Sequence, residues 1–200
     1  SSQPFRVEDL AHAIKDILQE LQIKKVHLVG HSMGGYVGCA FAKAYPLQTL
    51  SLTLINSCAG ADSLERRQQR NRSLELIDKF PKAFTSMAIS NLFTTNERAR
   101  CTEDIHQMKT DAQQIGIKAI KNAIIAMRDR PSYLEDLTTV SFPIHYIYGI
   151  QDVIIPPDLI QRELEYLNPK ISAKLDAGHM SILTHTQEIT NNIDFVFLND

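Results

Sequence analysis

Residues 26–46, VHLVGHSMGGYVGCAFAKAYP, carry a short β-branched run into a glycine-rich turn and straight on into a helical pattern. The run VHLVG is short and apolar, as expected of a strand buried on both faces. A helix is predicted from about Gly34 to Tyr45, and Pro46, which lacks an N–H and clashes with the preceding turn, ends it. A buried strand feeding a helix through so tight a turn points to βα units and a parallel sheet. Both ends of the chain keep that rhythm. Val7, Leu10, Ala11, Ile14, Leu18 and Leu21 share one helical face. Further strands are predicted at 50–56, 142–149 and 171–176, with a helix near 158–167 and a closing helix in TQEITNNIDFVFL.

Between about Ala61 and Thr139 the rhythm stops. Helical patterns near 64–80, 82–92, 97–113 and 117–127 follow one another without a convincing strand. A single crossover needs one helix, so the excess is expected to form an inserted helical cap over one end of the sheet. The predicted division is 1–60 core, 61–139 cap and 140–200 core.

Composition narrows the partners. Two hundred residues with 44% hydrophobic content suit one compact domain with an insertion. Charge is nearly balanced, with 21 basic against 23 acidic residues, and the densest basic stretch, ERRQQRNR at 65–72, reads as a solvated helix face. Nucleic acid is not an expected partner. Cys39, Cys58 and Cys101 lie in apolar or helical contexts without metal-like spacing, and buried thiols of a reducing compartment are expected. No apolar run reaches the ~18 residues of a membrane span, and the opening SSQPFRVEDL does not read as a signal peptide. A soluble cytoplasmic protein is the expectation. The seven histidines show no metal-ligand pattern such as H-E-x-x-H, and no metal is predicted.

Gly30-His31-Ser32-Met33-Gly34 fits G-x-S-x-G at a strand-to-helix turn. A nucleophile must stand clear of its own backbone, so the turn is sharp and the serine strained. Small residues are expected two positions either side, because larger ones would meet the neighbouring strand and helix; Gly35 extends that tolerance. The helix start aims free N–H groups and a positive dipole end toward the place where an oxyanion forms. The Met33 N–H is the expected donor. LVGHSMGGYV resembles the nucleophile elbow of the α/β-hydrolase superfamily, and the preceding helix and the following LSLTLINS resemble the same family.

A serine hydroxyl needs a base, and the base an orienting acid. Asp152 stands just past a predicted strand and His179 just past the last one, which brings both to the sheet edge where Ser32 lies. The resemblance implies the same pair, in the chain order Ser, Asp, His. Asp62, Asp176 and His185 are the rivals. His31 is expected to pack beside the elbow.

The resemblance also implies that the first four strands of the family fold are absent from this chain. SSQPF is similar to the residues that follow the family's G-H-G-x-S segment, whose loop supplies the second oxyanion donor. The N-terminal half-sheet is expected from residues outside the chain, since the elbow strand would otherwise be a bare edge. The implied function is a serine hydrolase cleaving an ester-like bond of a small, largely apolar acyl substrate through an acyl-enzyme, with no cofactor. Phe84, Met87, Ile89, Phe93 and Met127 are candidate pocket-lining residues of the cap, with packing in the cap's own core the alternative for each. Alternatives are a non-catalytic ligand-binding protein on the same fold, or a C–C bond hydrolase, thioesterase or lyase using the same triad.

Overall fold

The computed structural model describes residues 4–199. The resemblance drawn from SSQPF therefore falls largely outside the described residues.

The core follows the predicted alternation. Helix α1 (Val7–Glu20) leads into β1 (Val26–His31), α2 (Met33–Ala44), a single 3-10 turn at Pro46–Gln48 and β2 (Thr49–Ile55). After the insertion come β3 (Ile144–Gly149), α9 (Pro157–Leu167), β4 (Ile171–Leu175), α10 (Ser181–Thr184) and α11 (Thr186–Asn199). The four strands form one parallel sheet in the order β1-β2-β3-β4. Each strand therefore returns by a crossover, and all four C-terminal ends lie at one edge.

Alternation along the central strands fills two cores. Leu52 and Leu54 of β2, with Ile144, Tyr146 and Tyr148 of β3, face a large cluster built with Val7 and Ala11 of α1, Tyr36 and Phe41 of α2, Leu137 and Ile160. Ile55 and Ile147 point the other way, onto Leu175, Ala177 and Ile189 of α11. Full burial of each such Leu, Ile or Phe side chain is worth about 1.5–3 kcal/mol. The first strand departs from expectation. Among the described residues β1 pairs only with β2, and it is not buried on both faces: Val26 and Leu28 pack on the large cluster, while His27 is exposed and Val29 is 41% exposed. Edge position leaves the second face of β1 without a covering helix.

Between β2 and β3 stand α3 (Leu64–Lys79), α4 (Pro81–Ser90), α5 (Thr95–Arg100), α6 (Thr102–Ile115), α7 (Ile117–Asp129) and α8 (Leu134–Leu137). The helix expected over 97–113 is two, divided at Cys101, which leaves helical geometry at φ −107° and ψ 34°. The division frees α6 to pack on α4 and α7 while α5 turns toward the sheet edge. Both stems of the insertion are tied down. Tyr133 N–H donates to the Ala59 carbonyl at 2.9 Å. Arg130 donates to the Gly60 carbonyl at 3.0 Å and to Asp62 at 2.6 Å, and its guanidinium lies 3.8 Å over the Tyr36 ring. Arg70, from the basic stretch expected to be solvated, turns inward and also pairs with Asp62. Glu163 of α9 accepts the Ala59 and Gly60 N–H groups, both at 2.8 Å.

Cys39 and Cys58 are buried as expected, but Cys101 is only half-buried, at the α5–α6 break. Among the described residues no helix is long and apolar enough to cross a membrane.

Candidate active site

Ser32 sits between the last residue of β1 and the first of α2, with φ 51° and ψ −120°. A non-glycine residue in the left-handed half of the map costs on the order of 1–3 kcal/mol and persists only where the surroundings enforce it. Here the enforcement is visible. Ser32 N–H donates to the Ile55 carbonyl at 3.0 Å, and its own carbonyl accepts from Gly35 N–H at 3.0 Å and from the Ser57 hydroxyl at 2.7 Å. The backbone is pinned at both ends and the hydroxyl is left free to project.

The glycines of the turn do not all serve the purpose expected of them. A Cβ on Gly30 would come within 2.5 Å of the Gly34 and Gly35 backbone, so that position admits no side chain. A Cβ on Gly34 would meet nothing within 4 Å. The second obligatory glycine is Gly35, where a Cβ would lie 2.2 Å from Ser57 Oγ. The tight approach of α2 to the end of β2 falls one residue later than the motif suggests.

His179 and Asp152 come to the same edge on loops. Asp152 follows β3, its side chain folded back under its own loop; Oδ1 accepts the Ile154 N–H at 2.8 Å and the Ile155 N–H at 3.0 Å. Its other oxygen, Oδ2, accepts from His179 Nδ1 at 2.8 Å and from Asn56 Nδ2 at 2.8 Å. Burial pushes this carboxyl up, but His179, the backbone N–H groups and Asn56 together outweigh it and hold Asp152 below the ordinary aspartate value. A carboxylate on Nδ1 places the proton there, which leaves Nε2 as an acceptor. Ser32 Oγ–H lies 2.8 Å from Nε2 and donates to it. Asp152 and His179 are 2% and 3% exposed, so the pair is shielded from water.

The rivals are engaged elsewhere. Asp62 pairs with Arg130 and Arg70, Asp176 accepts from Gln151 Nε2 at 2.6 Å, and His185 Nδ1 lies 2.9 Å from the Thr184 hydroxyl. Met33 is the first residue of α2, where backbone N–H groups have no partner within the helix. His31 packs beside His179, its ring centroid 5.2 Å from that of His179, and its Nε2–H donates to the His179 carbonyl at 2.8 Å.

Two residues at this edge escaped the sequence reading. Asn56, fully buried at φ 43°, binds Asp152 and also donates to the Gly178 carbonyl at 3.2 Å; Ser181 donates to its Oδ1. A polar residue closing the apolar strand LSLTLIN was the available signal. Glu97 of α5 accepts the Gly178 N–H at 3.0 Å, and nothing in the local sequence marks it.

A cavity of about 490 Å³ opens beside His179. Phe93, Leu92, Val153 and Ile154 line it together with polar Asn91, Thr95 and Gln151. Of the five apolar residues expected to line a pocket, only Phe93 does so here. Ile89 packs in the insertion's own core, Met127 against the main core, and Met87 is 51% exposed. Among the described residues no group of three His, Cys, Asp or Glu side chains could hold a metal ion.

A strand-to-helix turn bearing a strained serine at the head of a parallel sheet has a family to match. The model of the alpha/beta hydrolase fold matches residues 1–186, and the chain belongs to that family. It is similar to a 2-hydroxy-6-oxononadienedioate/2-hydroxy-6-oxononatrienedioate hydrolase of Paraburkholderia xenovorans, at 25% identity over 96% of this chain and 68% of the relative. The protein of the same name from Cupriavidus pinatubonensis is 26% identical over 77% of this chain and 55% of its own length. The chain thus spans little more than half to two-thirds of these relatives. Among solved structures, an esterase of Thermogutta terrifontis superposes with a TM-score of 0.87 at 25% identity, over 98% of this chain and 73% of that one.

Proposed function

We propose that the chain is the elbow-bearing part of a serine hydrolase that cleaves an ester-like bond through Ser32, His179 and Asp152, with residues 61–139 as a cap over the site. The observation that carries this is the unbroken line of hydrogen bonds, each 2.8 Å, from Ser32 Oγ through His179 to Asp152. In the reaction Ser32 Oγ attacks the substrate carbonyl carbon as its proton passes to His179 Nε2, and Asp152 stabilises the resulting imidazolium. The oxyanion falls to the Met33 N–H at the start of α2. Collapse expels the leaving group, which takes the proton from His179, and leaves an acyl-Ser32 ester. Water activated by His179 then hydrolyses that ester and restores the hydroxyl. Each part of this cycle uses protein groups alone, so no cofactor is invoked.

The cavity beside His179 suits a small substrate with an apolar part against Phe93 and Leu92 and polar atoms toward Asn91 and Gln151. The test is a fluorophosphonate probe, which reacts only with activated serines, followed by intact mass. One adduct, lost in Ser32→Ala, supports the reading; an adduct that persists in Ser32→Ala, or none, refutes it. A second reading, hydrolysis of a 2-hydroxy-6-oxo-dienedioate, is favoured by the names of the two relatives aligned above. Turnover of a 2-hydroxy-6-oxo-dienedioate in preference to simple esters would select it over the first.

A further inference from the structure

Glu97 is a buried carboxylate that the reaction just described does not use. At the third position of α5 it forms a reciprocal capping box with Thr94: Glu97 N–H donates to Thr94 Oγ1 at 3.2 Å and Thr94 N–H donates to Glu97 Oε2 at 2.8 Å. That duty occupies one carboxylate oxygen, and such boxes normally face water. Glu97 is only 2% exposed, and its other oxygen leaves the insertion altogether. Oε1 accepts the Gly178 N–H at 3.0 Å and the Thr184 hydroxyl at 2.9 Å. Gly178 immediately precedes His179, and Thr184 closes the short helix that follows it.

The approach is close at the glycine itself. A Cβ on Gly178 would lie 2.6 Å from Glu97 Oε2 and 2.9 Å from Thr94 Cγ2. The glycine before His179 therefore makes room for α5. The same three-residue stretch is gripped twice more. Asn56 donates to the Gly178 carbonyl from the core side, and Met180 packs with Ile89, Phe93 and Ile105 of the insertion. An ionised acceptor serving three donors makes hydrogen bonds roughly twice as strong as neutral ones.

We infer that Glu97 is a positioning residue: by holding Gly178 and Thr184 it registers the helical insertion against the loop that carries His179, so that the imidazole reaches Ser32 only when α5 is seated. The inference rests on the reading of His179 as the base. Its reach decides whether the bonds to Gly178 and Thr184 form at all, and its charge strengthens them. Glu97→Asp keeps a carboxylate at the third helical position but withdraws it by one methylene from Gly178. Glu97→Gln keeps the reach and one carbonyl oxygen for Gly178 and Thr184, but sets its NH2 against the Thr94 N–H, so the capping box is lost and Tm should fall.

The experiment measures, in the full-length protein, the fluorophosphonate labelling rate of Ser32, kcat and KM on an ester substrate, and Tm. Displacing a reacting group by about 1 Å can cost about a hundredfold, so Glu97→Asp should slow labelling and kcat together by about tenfold or more with KM within about threefold. Glu97→Gln should stay within about threefold of wild type. The inference is overturned if Glu97→Asp labels as fast as wild type, if both variants are slowed alike, or if KM alone changes. Ser32→Ala separates the two levels. Labelling that survives in Ser32→Ala removes the underlying reading of the site and this inference with it. Labelling abolished in Ser32→Ala but undiminished in Glu97→Asp removes the inference alone.

Discussion

Asn56 Nδ2 donates to Asp152 Oδ2 at 2.8 Å, across the gap between the ends of β2 and β3. The same amide nitrogen donates to the Gly178 carbonyl, so one buried side chain holds both Asp152 and the loop that carries His179. Asn56→Ala is expected to lower kcat by about tenfold or more, the cost of losing a hydrogen bond to a charged group, with little change in KM. Asn56→Asp should be worse at neutral pH, because two carboxylates at that distance cannot both stay ionised. Steady-state kinetics on the two variants decide it; wild-type kcat in Asn56→Asp would contradict the arrangement.

Adjacent glycines of the elbow should respond in opposite ways to alanine. Gly35→Ala drives a methyl into Ser57 and is expected to destabilise by about 1–3 kcal/mol. Gly34→Ala meets nothing within 4 Å in α2 and should stabilise by about 0.4–1 kcal/mol through the unfolded chain. Urea denaturation of both variants is the check, and the sign of the difference is the result that matters.

Arg130 and Asp62 are paired with side chains 2% and 3% exposed. Removing one member of such a pair leaves a charge buried, so Arg130→Met should cost about 3 kcal/mol or more. Arg70, also on Asp62, sets the result at the lower end of that range. Hydrogen exchange should rise at both stems of the insertion, 59–62 and 130–133, before it rises in the sheet.

Burial pushes the His31 imidazole below its ordinary value, more than its bond to the His179 carbonyl raises it. The unfolded chain therefore takes up a proton on this ring at a higher pH than the folded chain does. Stability from neutral His31 is fully present above the unfolded value, about 6.5, and is lost as pH falls through the depressed folded one. Unfolding free energy should decline as pH falls below about 6.5, and His31→Gln should flatten that slope. Identical slopes in the two proteins would show that His31 does not contribute.

What the sequence determined by itself was local and periodic. Short apolar runs marked all four strands and helical spacing marked the core helices other than α10 (Ser181–Thr184), because packed elements leave a pattern in the chain. The G-x-S-x-G turn between VHLV and the α2 pattern located the strained serine for the same reason: few residue types survive that geometry. Asp152 and His179 could be named because each follows a strand whose end must reach the serine's edge in a parallel sheet. Tertiary structure alone decided the rest. That Gly35 rather than Gly34 is sterically required depends on where Ser57 of a different strand end lies. Asn56 binds Asp152, 96 residues further on, the bend at Cys101 leaves Glu97 to reach Gly178, 81 residues further on, and Arg70 turns in on an Asp62 that Arg130, 68 residues away from it, also holds. Glu97 shows the limit most plainly. Its own segment reads as an ordinary capping box, and only the close approach of α5 to Gly178 turns that box into a contact with the loop of His179.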